Sequence, residues 1–107
     1  MTDSFKERET AFEAKYARDE ELKFKVHARR NKLLGLWAAK QMGVDEATAT
    51  VYAKTLVENS ISSSDNEVII EVLNELNGTG GELTEKDIAR KLEEFTNQAI
   101  NELSHSG

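Results

Sequence analysis

The sequence contains no proline in 107 residues. Because proline removes a backbone hydrogen-bond donor and clashes with the preceding helical turn, a chain without it can form long uninterrupted helices. Its apolar residues recur mainly at intervals of three and four, which is the spacing of one helix face. The sequence therefore predicts an all-α fold, and its length is that of a single domain.

Four helices are predicted by this spacing after the first eighteen residues. They cover residues 19–42, 45–59, 65–77 and 84–103. Gly43 is expected to end the first helix, Asp45 to cap the second and Thr84 to cap the last. Short connections are typical of antiparallel neighbours, so residues 19–104 are predicted to form a four-helix bundle.

Two of these helices carry more specific expectations. Gly35 lies inside the first helix, where it costs about 1 kcal/mol relative to alanine, so it is expected to mark a close packing contact. Trp37 falls on the apolar stripe of the same helix and is expected in the core. The second helix is predicted to bury one apolar face. That face comprises Ala47, Val51, Tyr52, Leu56 and Val57.

Residues 1–18 are also predicted to be helical, but as a separate segment. Phe5, Phe12 and Tyr16 form one stripe, whereas the next stripe begins at Leu22. Six residues separate Tyr16 from Leu22, which turns the second stripe by about 240° around a straight helix. A boundary near residue 18 follows, and it leaves the N-terminal stripe with no core of its own to join. The sequence leaves open whether residues 1–18 are disordered or dock back on the bundle.

Residue inventory argues against catalysis and against bound metal. The chain has no cysteine and two histidines, His27 and His105, which lack the spacing of a metal pair. The glycine run at 78–81 lacks the lysine and hydroxyl residue of a phosphate loop. We therefore expect no enzyme activity and no cofactor. A charged N-terminus and the lack of a long apolar run predict a cytoplasmic protein without membrane insertion.

Charge is unevenly distributed along the chain. Residues 1–34 hold nine basic and seven acidic residues, a net charge of +2, while residues 35–107 hold five and thirteen, a net charge of −8. The overall acidity argues against nucleic-acid binding. Arg29, Arg30 and Lys32 form a basic patch that either contacts an anionic ligand or forms salt bridges with the acidic later helices.

The stretch from Phe5 to Gly43 resembles a known family. Its distinctive pieces are RE-x-AFEAKYA from Arg8, DEEL-x-FK from Asp19 and ARRNKLLGLWAA from Ala28. Together they resemble the alphaproteobacterial zeta subunit, an inhibitor of the F-type ATP synthase. The resemblance implies a four-helix bundle over residues 19–104 and an inhibitory N-terminal segment over residues 1–18. That segment would be mobile when free and helical when bound.

By the same resemblance, the partner is the catalytic head of the ATP synthase. The segment would insert between catalytic and rotor subunits and block hydrolytic rotation, on the periphery of a membrane-bound enzyme. The candidate partner-binding residues are Phe5, Arg8, Glu9, Phe12, Glu13, Lys15 and Tyr16. The alternative is a helical sensor that binds an anionic metabolite, such as an adenine nucleotide, at Arg29, Arg30 and Lys32.

Overall fold

The computed structural model describes residues 4–78 and 82–105, with the backbone alone for residues 4–6, 9 and 105. This part of the chain contains five helices. They are α1 (Ser4–Tyr16), α2 (Glu20–Met42), α3 (Glu46–Asn59), α4 (Asp65–Asn77) and α5 (Glu85–His105). The all-α prediction is confirmed, and the predicted helix boundary near residue 18 is found between α1 and α2. The residues 79–81 of the glycine run lie outside the described residues.

Local hydrogen bonds define where the helices begin and end. The Asp19 carboxylate accepts hydrogen bonds from the backbone N–H groups of Glu21 and Leu22, at 2.9 and 3.2 Å. Asp45 accepts one from Thr48 at 2.8 Å. These carboxylates satisfy donors that the first helical turn leaves free, and they interact favourably with the helix dipole.

The remaining helix ends follow the same rules. Gly43 ends α2 with a φ of +76°, a conformation that side chains disfavour. Ser64 and Glu67 form a reciprocal capping box at the start of α4. Thr84 and Asp87 exchange the corresponding bonds before α5, at 2.9 and 3.3 Å. The capping predictions made for Gly43, Asp45 and Thr84 are therefore confirmed.

The main core lies among α2, α3, α4 and α5, which we call the α2–α5 body. Its buried members include Leu34 and Ala38 from α2 and Leu56 from α3. Trp37 packs against this core while remaining partly exposed, and the Lys91 ammonium lies 5.6 Å from its ring centroid. The regular four-helix bundle itself stays a prediction.

At Gly35, α2 and α3 approach each other closely. A Cβ atom on Gly35 would lie 2.7 Å from the Cα of Ala53, closer than two carbon atoms pack. The predicted close contact is therefore confirmed. It also corrects the predicted face of α3 in part. Leu56 is buried as predicted, but Ala53 is buried as well, whereas Val51 is 64% exposed. The close approach favours a small side chain at the contact, which a count of large apolar residues does not detect.

Helix α1 packs against α2 and α5. Phe12 and Tyr16 lie against a second buried cluster formed by Val26, Ala99 and Ile100. Of the two alternatives left open by the sequence, the structure therefore shows docking on the α2–α5 body for residues 4–16. The mobility of this segment in the free protein stays a prediction. Within residues 4–78 and 82–105, no helix combines the length and apolarity needed to cross a membrane.

Candidate functional site

Helix α1 carries the predicted partner-binding residues, and its two faces differ in exposure. Arg8, Glu13 and Lys15 are exposed, whereas Phe12 and Tyr16 are half-buried. The side chains of Phe5 and Glu9 lie outside the described residues. Alanines on the same helix reduce the bulk around the charged side chains. The described part of α1 thus presents a charged surface to solvent and an aromatic surface to the α2–α5 body.

The aromatic surface of α1 is a compact unit. The Phe12 and Tyr16 rings are stacked, with centroids 6.5 Å apart and ring planes inclined by 22°. They cover Val26, Ala99 and Ile100, all at most 5% exposed, with Leu103 at the margin. We call this cluster the α1 seat. Removing α1 would expose the apolar atoms of the α1 seat to water, which is unfavourable in proportion to their area.

A short connection joins α1 to α2. The backbone N–H groups of Ala17 and Asp19 still donate to Glu13 and Lys15, both at 3.1 Å, and Asp19 then caps α2. The helical hydrogen bonding is therefore interrupted over about one turn between the two helices.

The basic patch predicted at Arg29, Arg30 and Lys32 does not converge on one point. Arg30 is buried, and its guanidinium lies 3.1 Å from the Asp65 carboxylate. Arg29 pairs with Glu102 of α5 at 3.0 Å, while Lys32 is exposed on the surface of α2. For the two arginines, the structure therefore favours salt bridging to later helices over a shared ligand.

Arg30 also belongs to a buried polar network between α2 and the end of α3. Its Nε donates to the Asn31 side-chain oxygen at 3.0 Å, and the Asn31 amide donates to the Ser60 hydroxyl at 2.9 Å. The Ser60 hydroxyl in turn donates to the Leu56 carbonyl at 2.6 Å. Buried polar groups require such partners, so this network has a structural role that the sequence did not reveal.

His27 lies beside this network, in a cavity of about 240 Å³ that Lys23 and Arg30 also line. His27 remains exposed to solvent on one side, but its partial desolvation and the positive charge of Arg30 lower its pKa below its usual 6.5, with a smaller effect from Lys23, while Asp65 opposes the shift. The described residues contain no group of three or more histidine or carboxylate residues that could hold a metal.

One exposed aromatic residue was missed in the sequence. Phe24 is 54% exposed and lies on the face of α2 that carries Ala28 and Lys32. The sequence does indicate this exposure, because Phe24 falls between Leu22 and Val26 and therefore lies on a different helix face from their apolar stripe. Comparison of the helix phases of large apolar residues could have found it.

Comparison with known proteins gave one match. Residues 1–102 match the model of a protein family described as ATPase inhibitor subunit zeta. No curated protein and no solved structure matches the chain significantly.

Proposed function

The chain belongs to the ATPase inhibitor subunit zeta family, as the resemblance predicted, and we propose that it inhibits ATP hydrolysis by inserting α1 into the catalytic head of the F-type ATP synthase. The family match over residues 1–102 is the observation that carries this proposal, because it includes α1 and nearly all of the α2–α5 body. In this mechanism α1 lies between catalytic and rotor subunits and blocks hydrolytic rotation. The chain then acts at the periphery of the membrane-bound enzyme, on its cytoplasmic side.

The two faces of α1 suit this role. Arg8, Glu13 and Lys15 are exposed and free to form ion pairs with a partner that approaches from solvent. Phe12 and Tyr16 contact the α1 seat, so they must leave it before they can be buried in the head. Insertion is therefore an exchange of one apolar surface for another.

Insertion of a helix that is already formed costs less conformational entropy than insertion of an unfolded segment would, although it exposes the α1 seat to water. Ordering a free chain costs about 1–2 kcal/mol per residue. Because α1 is already helical over Ser4–Tyr16, much of that cost does not fall on the binding step. Full burial of a half-buried aromatic side chain then contributes on the order of 1 kcal/mol beyond what the seat supplies.

Charge reversal on the exposed face of α1 tests the proposal without disturbing the seat. We expect Arg8→Glu and Lys15→Glu each to raise the concentration for half-maximal inhibition about tenfold, since each replaces an attractive pair with a repulsive one. The measurement is ATP hydrolysis by an isolated alphaproteobacterial catalytic head, titrated with the full chain. Lys86→Glu on α5 is the matched control and should inhibit like the original chain.

A chain that begins at Asp19 provides the second arm of this experiment. It retains the cap of α2 and lacks α1, so it should not inhibit, provided circular dichroism shows that it is folded. Equal inhibition by the shortened and full chains would contradict insertion of α1. Failure of the full chain to inhibit at all would contradict the inhibitor role of this member.

The geometry supports inhibition better than the sensor alternative. An anionic metabolite at Arg29, Arg30 and Lys32 would have to compete with Glu102 and Asp65 for the two arginines. Chemical-shift titration of the full chain with adenine nucleotides tests the alternative directly. Shifts that cluster on Arg30 and its network would support it.

A further inference from the structure

An open groove crosses the surface of α2 on the side where Phe24 is exposed. Phe24 and Ala28 of α2 line it, together with Val57 of α3 and Leu103 of α5. Its volume is about 620 Å³. Phe24 is 54% exposed, borders both this groove and the cavity beside His27, and leaves a large apolar surface in water.

Basic side chains line both sides of this groove. Lys25, Arg29 and Lys32 follow one another along α2 at intervals of four and three residues, and Lys54 lies opposite on α3. Among the described residues that line the groove, Glu58 is the one carboxylate. Glu21 and Glu102 engage Lys25 and Arg29 at the edge, at 3.6 and 3.0 Å. This surface is positive in a chain whose net charge is −6.

The spacing of these charges distinguishes a helix from a small anion. From Lys25 to Lys32 the basic stripe extends over seven residues, about 10 Å along the helix axis. A compact anion neutralises one or two such groups. A helix with carboxylates at matching intervals can pair with Lys32 and Lys54, which have no ion pair among the described residues. Lys25 and Arg29 keep their own pairs at the edge. An apolar centre with charges on both sides is the arrangement by which grooves bind amphipathic helices.

We propose that this groove is a second docking surface, which binds an acidic amphipathic helix of the catalytic head and places an apolar side chain of that helix against Phe24. The identity of the partner rests on the proposed function. Leu103 supports it, because this residue borders both the groove and the α1 seat. A head that receives α1 therefore lies next to the groove, and the two contacts reinforce each other.

Measurements of binding and of inhibition distinguish the contribution of the groove from that of α1. We expect Phe24→Ala and Lys32→Glu each to weaken binding of the full chain to the immobilised isolated head about five- to tenfold, as measured by biolayer interferometry. Both residues are exposed, so the fold should persist, and circular dichroism checks this. At saturating concentrations these variants should inhibit as completely as the original chain, because α1 is unchanged.

Two exposed residues outside the groove serve as matched controls. Ile70→Ala on α4 removes an apolar side chain of similar exposure, and Lys40→Glu reverses a charge at the other end of α2. Both should bind within about twofold of the original chain. Raising the salt concentration from about 0.05 to about 0.3 M should weaken the original chain more than Lys32→Glu.

The outcomes distinguish this proposal from the proposed function. Unchanged binding by Phe24→Ala and Lys32→Glu, with normal inhibition by the original chain, overturns the groove and leaves the inhibitor role intact. Weakened binding by these variants in a chain that does not inhibit supports the groove and contradicts the inhibitor role. A chain that does not bind the head overturns both. Self-association in sedimentation that Lys32→Glu abolishes would assign the groove to a second copy and overturn the proposal.

Discussion

At the residue scale, the absence of a Cβ atom at Gly35 allows α2 and α3 to pack closely. We predict that Gly35→Ala lowers the free energy of unfolding by about 1–3 kcal/mol, because the new Cβ meets the Ala53 backbone at 2.7 Å and a backbone atom cannot rotate away. Alanine is the better helix former by about 1 kcal/mol, so a net loss isolates the steric effect. Urea denaturation of the two chains measures it.

Gly78 supplies the control for this substitution. A Cβ there would lie 3.4 Å from the nearest backbone oxygens, and its φ of −63° suits any residue. Gly78→Ala should therefore leave the stability unchanged or slightly raised. Equal effects at the two positions would show that α2 and α3 do not pack through Gly35 as closely as described.

Several residues were predictable because their roles depend on local sequence. Asp45 and Thr84 stand directly before apolar helical patterns, and Gly35 stands out as a poor helix former within one. The burial of Arg30 was not predictable, because its ion-pair partner Asp65, and Ser60, which accepts from Asn31 in the same network, lie about thirty residues away. Helical periodicity places Arg30 on a face of α2 but does not say which element covers that face.

At the scale of the element, two aromatic side chains hold helix α1 against the α2–α5 body. Its break from α2 was predictable from the shift in apolar phase, since phase is a property of neighbouring residues. Its seat was not predictable, because Ala99 and Ile100 come from the opposite end of the chain and serve α5 as part of one continuous stripe. The partner-binding role of α1 came from the resemblance.

Removing one of these aromatic side chains should release α1. We predict that Tyr16→Ala lowers hydrogen-exchange protection of the α1 amides about tenfold, because the stacked pair with Phe12 and half of the contact with the seat are lost. Protection in α3 and α4 should not change, since among the described residues neither helix packs against α1. Hydrogen exchange followed by NMR resolves both regions.

The neighbouring exposed residue provides the comparison. Lys15→Ala changes the same helical turn without touching the seat, so α1 should retain its protection. If Tyr16→Ala also left α1 protected, the seat would not be what holds the helix. If protection fell throughout the α2–α5 body, α1 would be part of the cooperative core and not a separable element.

At the scale of the whole molecule, pH should act on stability in two steps. Hydrogen bonds from Thr48, Ser64 and Thr84 lower the pKa values of the capping carboxyls Asp45, Glu67 and Asp87. A carboxyl with a lowered folded pKa stabilises the protein above its unfolded pKa of about 4, and this contribution is lost as pH falls through the folded pKa. The starts of α3, α4 and α5 therefore weaken together in acid.

His27 acts in a different pH range. Partial burial and the charges of Arg30 and Lys23 lower its pKa below 6.5. At pH values just below 6.5, this histidine therefore binds a proton more readily in the unfolded chain than in the folded chain. Stability therefore falls as pH drops below 6.5, before the caps are affected. We predict that in His27→Gln the urea concentration at the midpoint of unfolding changes less between about pH 7 and about pH 5.5 than in the original chain. The loss of stability below about pH 4 should persist.

Asp45→Asn provides the reciprocal variant. It keeps a side-chain acceptor at the cap but removes the titrating group. It should therefore reduce the loss of stability in acid and leave the loss that His27 causes below pH 6.5 unchanged. The two variants together assign each pH range to one structural cause. An unchanged slope above about pH 5.5 in His27→Gln would mean that other groups set the stability there, and that the folded protein accommodates the protonated imidazole beside Arg30 without cost.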